Sequence, residues 1–68
     1  MIKIGEKIKE LRKGKGLTQT QLAVKLKTTQ DTISLWELGK SYPDLESVYN
    51  LCNLFSVSAD YLLGLKEI

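Results

Sequence analysis

The chain is predicted to be an all-α domain, a compact bundle of five short helices, and three observations predict it. Apolar residues recur at three- and four-residue spacing in successive segments. A Ser, Thr or Asp stands directly before four of those segments (Thr18, Thr29, Asp44, Ser58), where a helix N-cap belongs. Glycines stand where segments stop (Gly14, Gly39, Gly64), and no stretch alternates apolar and polar residues as a half-buried strand would.

Ile4, Ile8 and Leu11 place a first helix over about Lys3 to Lys13, with a lysine-rich outer face of Lys3, Lys7 and Lys13. Gly14 and Gly16 bracket Lys15 and supply the left-handed backbone that a helix end and a tight reversal need. The next helix is the most clearly signalled. Leu17 precedes the cap, Thr18 is the N-cap, Gln21 the third helical residue and Leu22 the fourth, so a capping box and a hydrophobic staple coincide. Leu22, Ala23 and Leu26 then share one face, and the small Ala23 lets a crossing helix come close.

Thr29 caps a third helix from Gln30 to about Leu38, with Ile33 and Trp36 inward and Gly39 as a left-handed C-terminal cap. Two short capped helices about four residues apart, spanning Thr18 to Gly39, form the signature of a helix-turn-helix. Gln30, Asp31, Ser34 and Leu35 face outward. That row is compatible with a plain solvated surface and with a helix lying in a DNA major groove, where each residue type has a base-edge partner.

Lys40 to Pro43 is a loop, since Pro43 biases Tyr42 toward an extended conformation, and Asp44 caps a fourth helix with Glu46 in its first turn. Leu45, Val48, Leu51, Cys52 and Phe55 form one face of that helix, which ends near Phe55 and is expected to close the core. Val57, Ser58 and Leu62 repeat the staple and cap for a short fifth helix from about Ala59 to Leu63, stopped by Gly64 and followed by a tail of Leu65 to Ile68.

Sixty-eight residues make one domain, 1–68, burying roughly 60% of the unfolded chain's surface, which is too little for a walled substrate cleft. No run of 18 apolar residues or signal-peptide block occurs, so the chain is expected to be soluble and intracellular. With one cysteine and no histidine there is no intrachain disulfide, no Cys/His zinc site and no Cys-His nucleophile pair. Cys52 reads as a small core hydrophobe. There is no Gly-rich phosphate loop either, so no enzyme, cofactor, metal site or small-molecule substrate is expected. The net charge of +2 is unevenly spread: residues 1–43 carry nine basic and four acidic groups, residues 44–68 one basic and four acidic. That polarity fits one face meeting an anionic partner.

In combination, IGEKIKELRKGKGLTQTQLA, TISLWELGKSYPDLESVYNLCNLF and VSADYLLG resemble the helix-turn-helix domain of phage repressors and Cro, the XRE-like family, over nearly the whole chain. The resemblance implies a lambda-repressor-like fold and sequence-specific binding of double-stranded DNA. It implies a cytoplasmic, nucleoid-associated regulator of bacterial or phage origin. Such a protein acts as a repressor, a homodimer on an inverted-repeat operator with half-sites about one turn, ~34 Å, apart.

Residue by residue, the resemblance places Gln30, Asp31 and Leu35 at base edges with Ser34 beside them. It places Thr18, Gln19, Thr29, Thr32 and Lys40 at the sugar-phosphate backbone, and pairs Arg12 with Glu37 in a structural, partly buried ion pair. Lys27 stands where the family's turn usually has glycine, Asp31 brings a negative charge to a DNA-facing position, and Leu35 is apolar where many relatives are polar or basic. Tyr61, Leu65 and Ile68 are the apolar candidates for a dimer contact. Asp31 and Leu35 also motivate an alternative, a protein-interaction module such as an antitoxin-like or anti-repressor partner built on the same fold.

Overall fold

The computed structural model describes residues 2–67 and contains five helices in chain order: α1 (Ile4–Gly14), α2 (Gln19–Leu26), α3 (Gln30–Glu37), α4 (Leu45–Phe55) and α5 (Ala59–Leu62). The fold is the five-helix arrangement the sequence predicts, with element ends within about one residue of expectation. Thr18, Thr29, Asp44 and Ser58 each accept the backbone N–H three residues on, at 3.0, 3.2, 2.9 and 3.1 Å. At Thr18 the box is complete, because the Gln21 side chain accepts from the Thr18 N–H at 2.8 Å.

The helix ends share one device. In each, the C-cap or the residue after it turns left-handed and the next N–H reaches back five residues to a carbonyl that the helix leaves free, as in the Schellman arrangement. Leu17 N–H bonds Arg12 O at 3.1 Å, Thr28 bonds Ala23 at 2.9 Å, Lys40 bonds Leu35 at 2.9 Å, Val57 bonds Cys52 at 3.1 Å and Leu65 bonds Asp60 at 2.7 Å. Gly16, Gly39 and Gly64 supply the positive φ for three of these ends, but Lys27 (φ 58°) and Ser56 (φ 55°) supply it for α2 and α4. Gly14, expected to share the reversal after α1, is instead the last residue of that helix.

Lys27 thus occupies the left-handed region, where an L side chain is strained by about 1 kcal/mol or more. Lys27→Gly relieves that strain and returns part of the gain as unfolded-state entropy. The expected outcome is a stabilisation of about 0.5–1 kcal/mol, read as a higher urea midpoint at unchanged m. A lower midpoint would mean that the lysine's own contacts outweigh its backbone strain.

Every helix contributes to one core: Ile4 and Ile8 from α1, Leu22 and Ala23 from α2, Ile33 and Trp36 from α3, Leu51 and Phe55 from α4, and Leu62 from α5. Leu11, Leu26, Val48, Cys52 and Val57 pack at its margin, partly buried. Leu45 departs from expectation. Its spacing puts it on the apolar face of α4, yet it is 85% exposed. It is the first residue of that helix, one turn before Val48, the first residue of α4 to pack at the margin of the core.

One glycine has a packing role that periodicity does not reveal. Gly5, inside α1, is buried against the end of α3: a Cβ placed there would overlap the Trp36 carbonyl oxygen and lie 3.1 Å from the Glu37 carbonyl oxygen. The absent side chain is what lets α1 and α3 approach backbone to backbone.

Candidate nucleic-acid interface

The N-terminal ends of α2 and α3 lie side by side, and a continuous chain of polar contacts joins them to the interior. It begins at Arg12, which is 8% exposed and donates through Nη1 to the Leu17 carbonyl at 2.8 Å. Its Nε and Nη2 donate to the two carboxylate oxygens of Glu37, at 2.7 and 3.1 Å, a forked pair across 25 residues of sequence. The Glu37 side chain is 3% exposed.

Glu37 Oε1 also accepts from Gln19 Nε2 at 3.0 Å, and Gln19 Oε1 accepts from Gln30 Nε2 at 2.6 Å. The chain therefore runs from α1 through the end of α3 to the start of α2 and back to the exposed start of α3. Burial pushes the Glu37 carboxyl up, but the hydrogen bonds from Arg12 and Gln19 and the charges of Arg12 and Lys9 outweigh it and hold the group below the ordinary carboxylate value. The Arg12 guanidinium is raised in turn, mainly by its hydrogen bond to Glu37.

Around this unit lie the other residues singled out in the sequence. Gln30, Asp31 and Leu35 are exposed on α3, with Ser34 and Thr32 partly so. Thr29 caps α3 and its hydroxyl lies 2.9 Å from that of Thr32, while the hydroxyl of Thr18 is engaged in the capping box. As an acceptor there, each capping oxygen keeps a hydroxyl hydrogen of its own. The Lys40 side chain is exposed just beyond the left-handed end of α3. The first N–H groups of α2 and α3 lack helical partners and, with the helix dipoles, favour anions nearby.

Of the apolar residues singled out for self-association, Leu65 is 74% exposed, Tyr61 is partly buried with the Lys7 ammonium 4.7 Å from its ring centre, and Ile68 lies outside the described residues. The interior anchoring of Gln19 escaped the sequence reading, which gave it a phosphate contact alone. Its partners are 18 and 11 residues away, and no local pattern reports them. Gly5 did leave a signal: a glycine inside a helix, away from any turn, is disfavoured by about 1 kcal/mol and marks a close approach.

This geometry can be set against known proteins. A family model described as a helix-turn-helix domain matches residues 5–68. The chain belongs to that helix-turn-helix family. Within it, the chain is of the phage repressor and Cro type, as its relatives illustrate. It is 45% identical over 67 residues to the HTH-type transcriptional activator BcrR of Enterococcus faecalis, covering 98% of this chain and 33% of that protein. It is 38% identical over 65 residues to the HTH-type transcriptional regulator ImmR of Bacillus subtilis, covering 96% of this chain and 51% of that protein. The helix-turn-helix chain thus spans about a third to a half of the length of these curated relatives. Its structure is similar to that of the P22 c2 repressor in complex with a synthetic operator, with a TM-score of 0.83, 32% identity, and coverage of 88% of this chain and 91% of that one.

Proposed function

We propose that the chain, as a single unit over residues 1–68, binds a specific double-stranded DNA sequence and regulates transcription, acting as a repressor that occupies an operator and excludes polymerase. It is a binding protein and performs no catalysis of its own. The observation that carries this reading is the contact between Gln30 and Gln19, which ties a side chain at the exposed start of α3 to one at the start of α2. α3 lies in the major groove and α2 crosses the phosphate backbone. Gln30 pairs with adenine through a donor and an acceptor, Asp31 accepts from cytosine N4, Leu35 meets a thymine methyl, and Ser34 stands beside them.

Thr18, Gln19, Thr29 and Thr32 donate to phosphates, and Lys40 neutralises one. Two copies bind an inverted repeat as a homodimer, with Leu65 and the exposed edge of Tyr61 at the contact. The protein works in the cytoplasm, where its DNA is. The likeness to the operator-bound P22 c2 repressor supports the groove placement.

Gln30→Ala is expected to weaken binding to the preferred site by about 1–3 kcal/mol and binding to random DNA hardly at all. Lys40→Ala is expected to weaken both and to reduce the slope of log affinity against log salt by about one. Titrations of both DNAs between about 50 and 200 mM salt check this. Equal losses on both DNAs for Gln30→Ala would take it out of the base-reading set. Failure of the wild-type chain to prefer any sequence, with DNA held only at low salt, would favour the protein-interaction reading that exposed Asp31 and Leu35 motivate.

A further inference from the structure

We infer that Glu37, whose side chain is only 3% exposed, sets which purine Gln30 accepts, by fixing the orientation of two glutamine amides in series; this rests on the base-edge placement of Gln30 proposed above. An ionised carboxylate has acceptors only. Arg12 holds Glu37 with two of its donors at 2.7 and 3.1 Å, so the Gln19 group 3.0 Å from Glu37 Oε1 has to be its NH2. The rigid planar amide of Gln19 then turns its oxygen the other way, toward Gln30 at 2.6 Å. Against an oxygen, Gln30 has to present its own NH2.

One N–H of Gln30 is thereby committed, leaving one N–H and the carbonyl oxygen for a base. Adenine shows an acceptor, N7, beside a donor, the N6 amino group, and both remaining groups of Gln30 find partners. Guanine shows two acceptors, N7 and O6, so one bond forms and two oxygens are set against each other. The amide is nearly symmetric in shape, so packing alone does not choose its orientation. Released from Gln19, Gln30 can turn both N–H groups toward guanine. The preference between the purines is therefore written in the buried Arg12–Glu37 pair and relayed by Gln19, which acts as a positioning residue as well as a phosphate contact.

The test is selection from a randomised duplex pool followed by sequencing, using the full chain as wild type, Gln30→Ala, Gln19→Met and the double variant Arg12→Met/Glu37→Met. The double variant replaces both charges by apolar groups of similar length, an exchange that buried pairs tolerate, and circular dichroism checks its fold. Gln19→Met leaves the ion pair in place and tests the link from Gln19 to Gln30, and the double variant tests the control by Glu37. The position that Gln30 reads is the one whose preference Gln30→Ala flattens.

Wild type is expected to favour adenine over guanine there by about tenfold or more, as for one bidentate pair. In Gln19→Met and in the double variant that ratio is expected to narrow to about threefold or less, with ratios at the other positions unchanged, whatever happens to total affinity. A wild-type ratio in either variant, with Gln30→Ala still flattening the position, would overturn the relay and leave base reading intact. No position flattened by Gln30→Ala would overturn base reading, and the relay with it. A wild-type preference for guanine at that position would also overturn the relay.

Discussion

Glu37→Ala is expected to remove about 3–5 kcal/mol of stability, because it leaves the Arg12 guanidinium, 8% exposed, without its counter-charge. Domains of this length hold roughly 3–10 kcal/mol in all, so much of the variant should be unfolded at 37 °C. The loss measures the unpaired charge that remains, and it is distinct from the net value of the pair. Arg12→Met/Glu37→Met is accordingly expected to fall within about 1 kcal/mol of wild type or above it. Urea unfolding of wild type, Arg12→Met, Glu37→Met and the double variant closes the cycle. A double variant as damaged as the single one would mean that the pair stabilises the fold in its own right.

The same pair gives the protein an acid limit. The folded-state value of Glu37 lies below the ordinary carboxylate value of 4.5. Its contribution is therefore fully present above the unfolded-state value and is lost as pH falls through the lower folded value. Asp44, held below its ordinary carboxylate value by the Ser47 hydroxyl and N–H, adds an acid sensitivity of its own. The comparison is best made in an Asp44→Asn background, which retains the N-cap acceptor. There, melting temperature should drop below about pH 4.5 with Glu37 present and drop less with Glu37→Gln. Parallel curves would assign the acid sensitivity to other carboxylates.

Gly5→Ala is expected to lower the melting temperature by about 10 °C or more, even though alanine favours a helix interior over glycine by about 1 kcal/mol. The new methyl would overlap the Trp36 carbonyl oxygen and sit 3.1 Å from that of Glu37, both of them backbone atoms of α3 that cannot rotate away. Overpacking against fixed atoms costs about 1–3 kcal/mol or more, and each net kcal/mol shifts a domain of this size by about 4–8 °C. Gly14→Ala is the internal control. It lies in the same helix with nothing within 4 Å of its new methyl, and should be neutral or stabilising by up to about 1 kcal/mol. If the two variants melted alike, α1 and α3 would have room to separate. Since α3 carries Gln30 and Glu37, Gly5→Ala should also weaken DNA binding in the molecules that remain folded.

What the sequence by itself determined was the set of elements and their order. Caps at Thr18, Thr29, Asp44 and Ser58 act over three residues, and the spacing of Ile4, Ile8, Leu22, Ile33, Trp36, Leu51 and Phe55 follows the helical repeat, so both are written locally. The pairing of Arg12 with Glu37 was anticipated only through family resemblance, because a contact across 25 residues has no local spacing to betray it. Only the tertiary structure decided that Leu45 is left exposed, that Lys27 and Ser56 accept left-handed backbone, that Gly5 is the point where two helices touch, and that Gln19 turns inward to Glu37. Each of these depends on where one helix crosses another. Helical periodicity fixes which face a residue is on, but the length of the partner helix and the place where it crosses decide whether that face is covered.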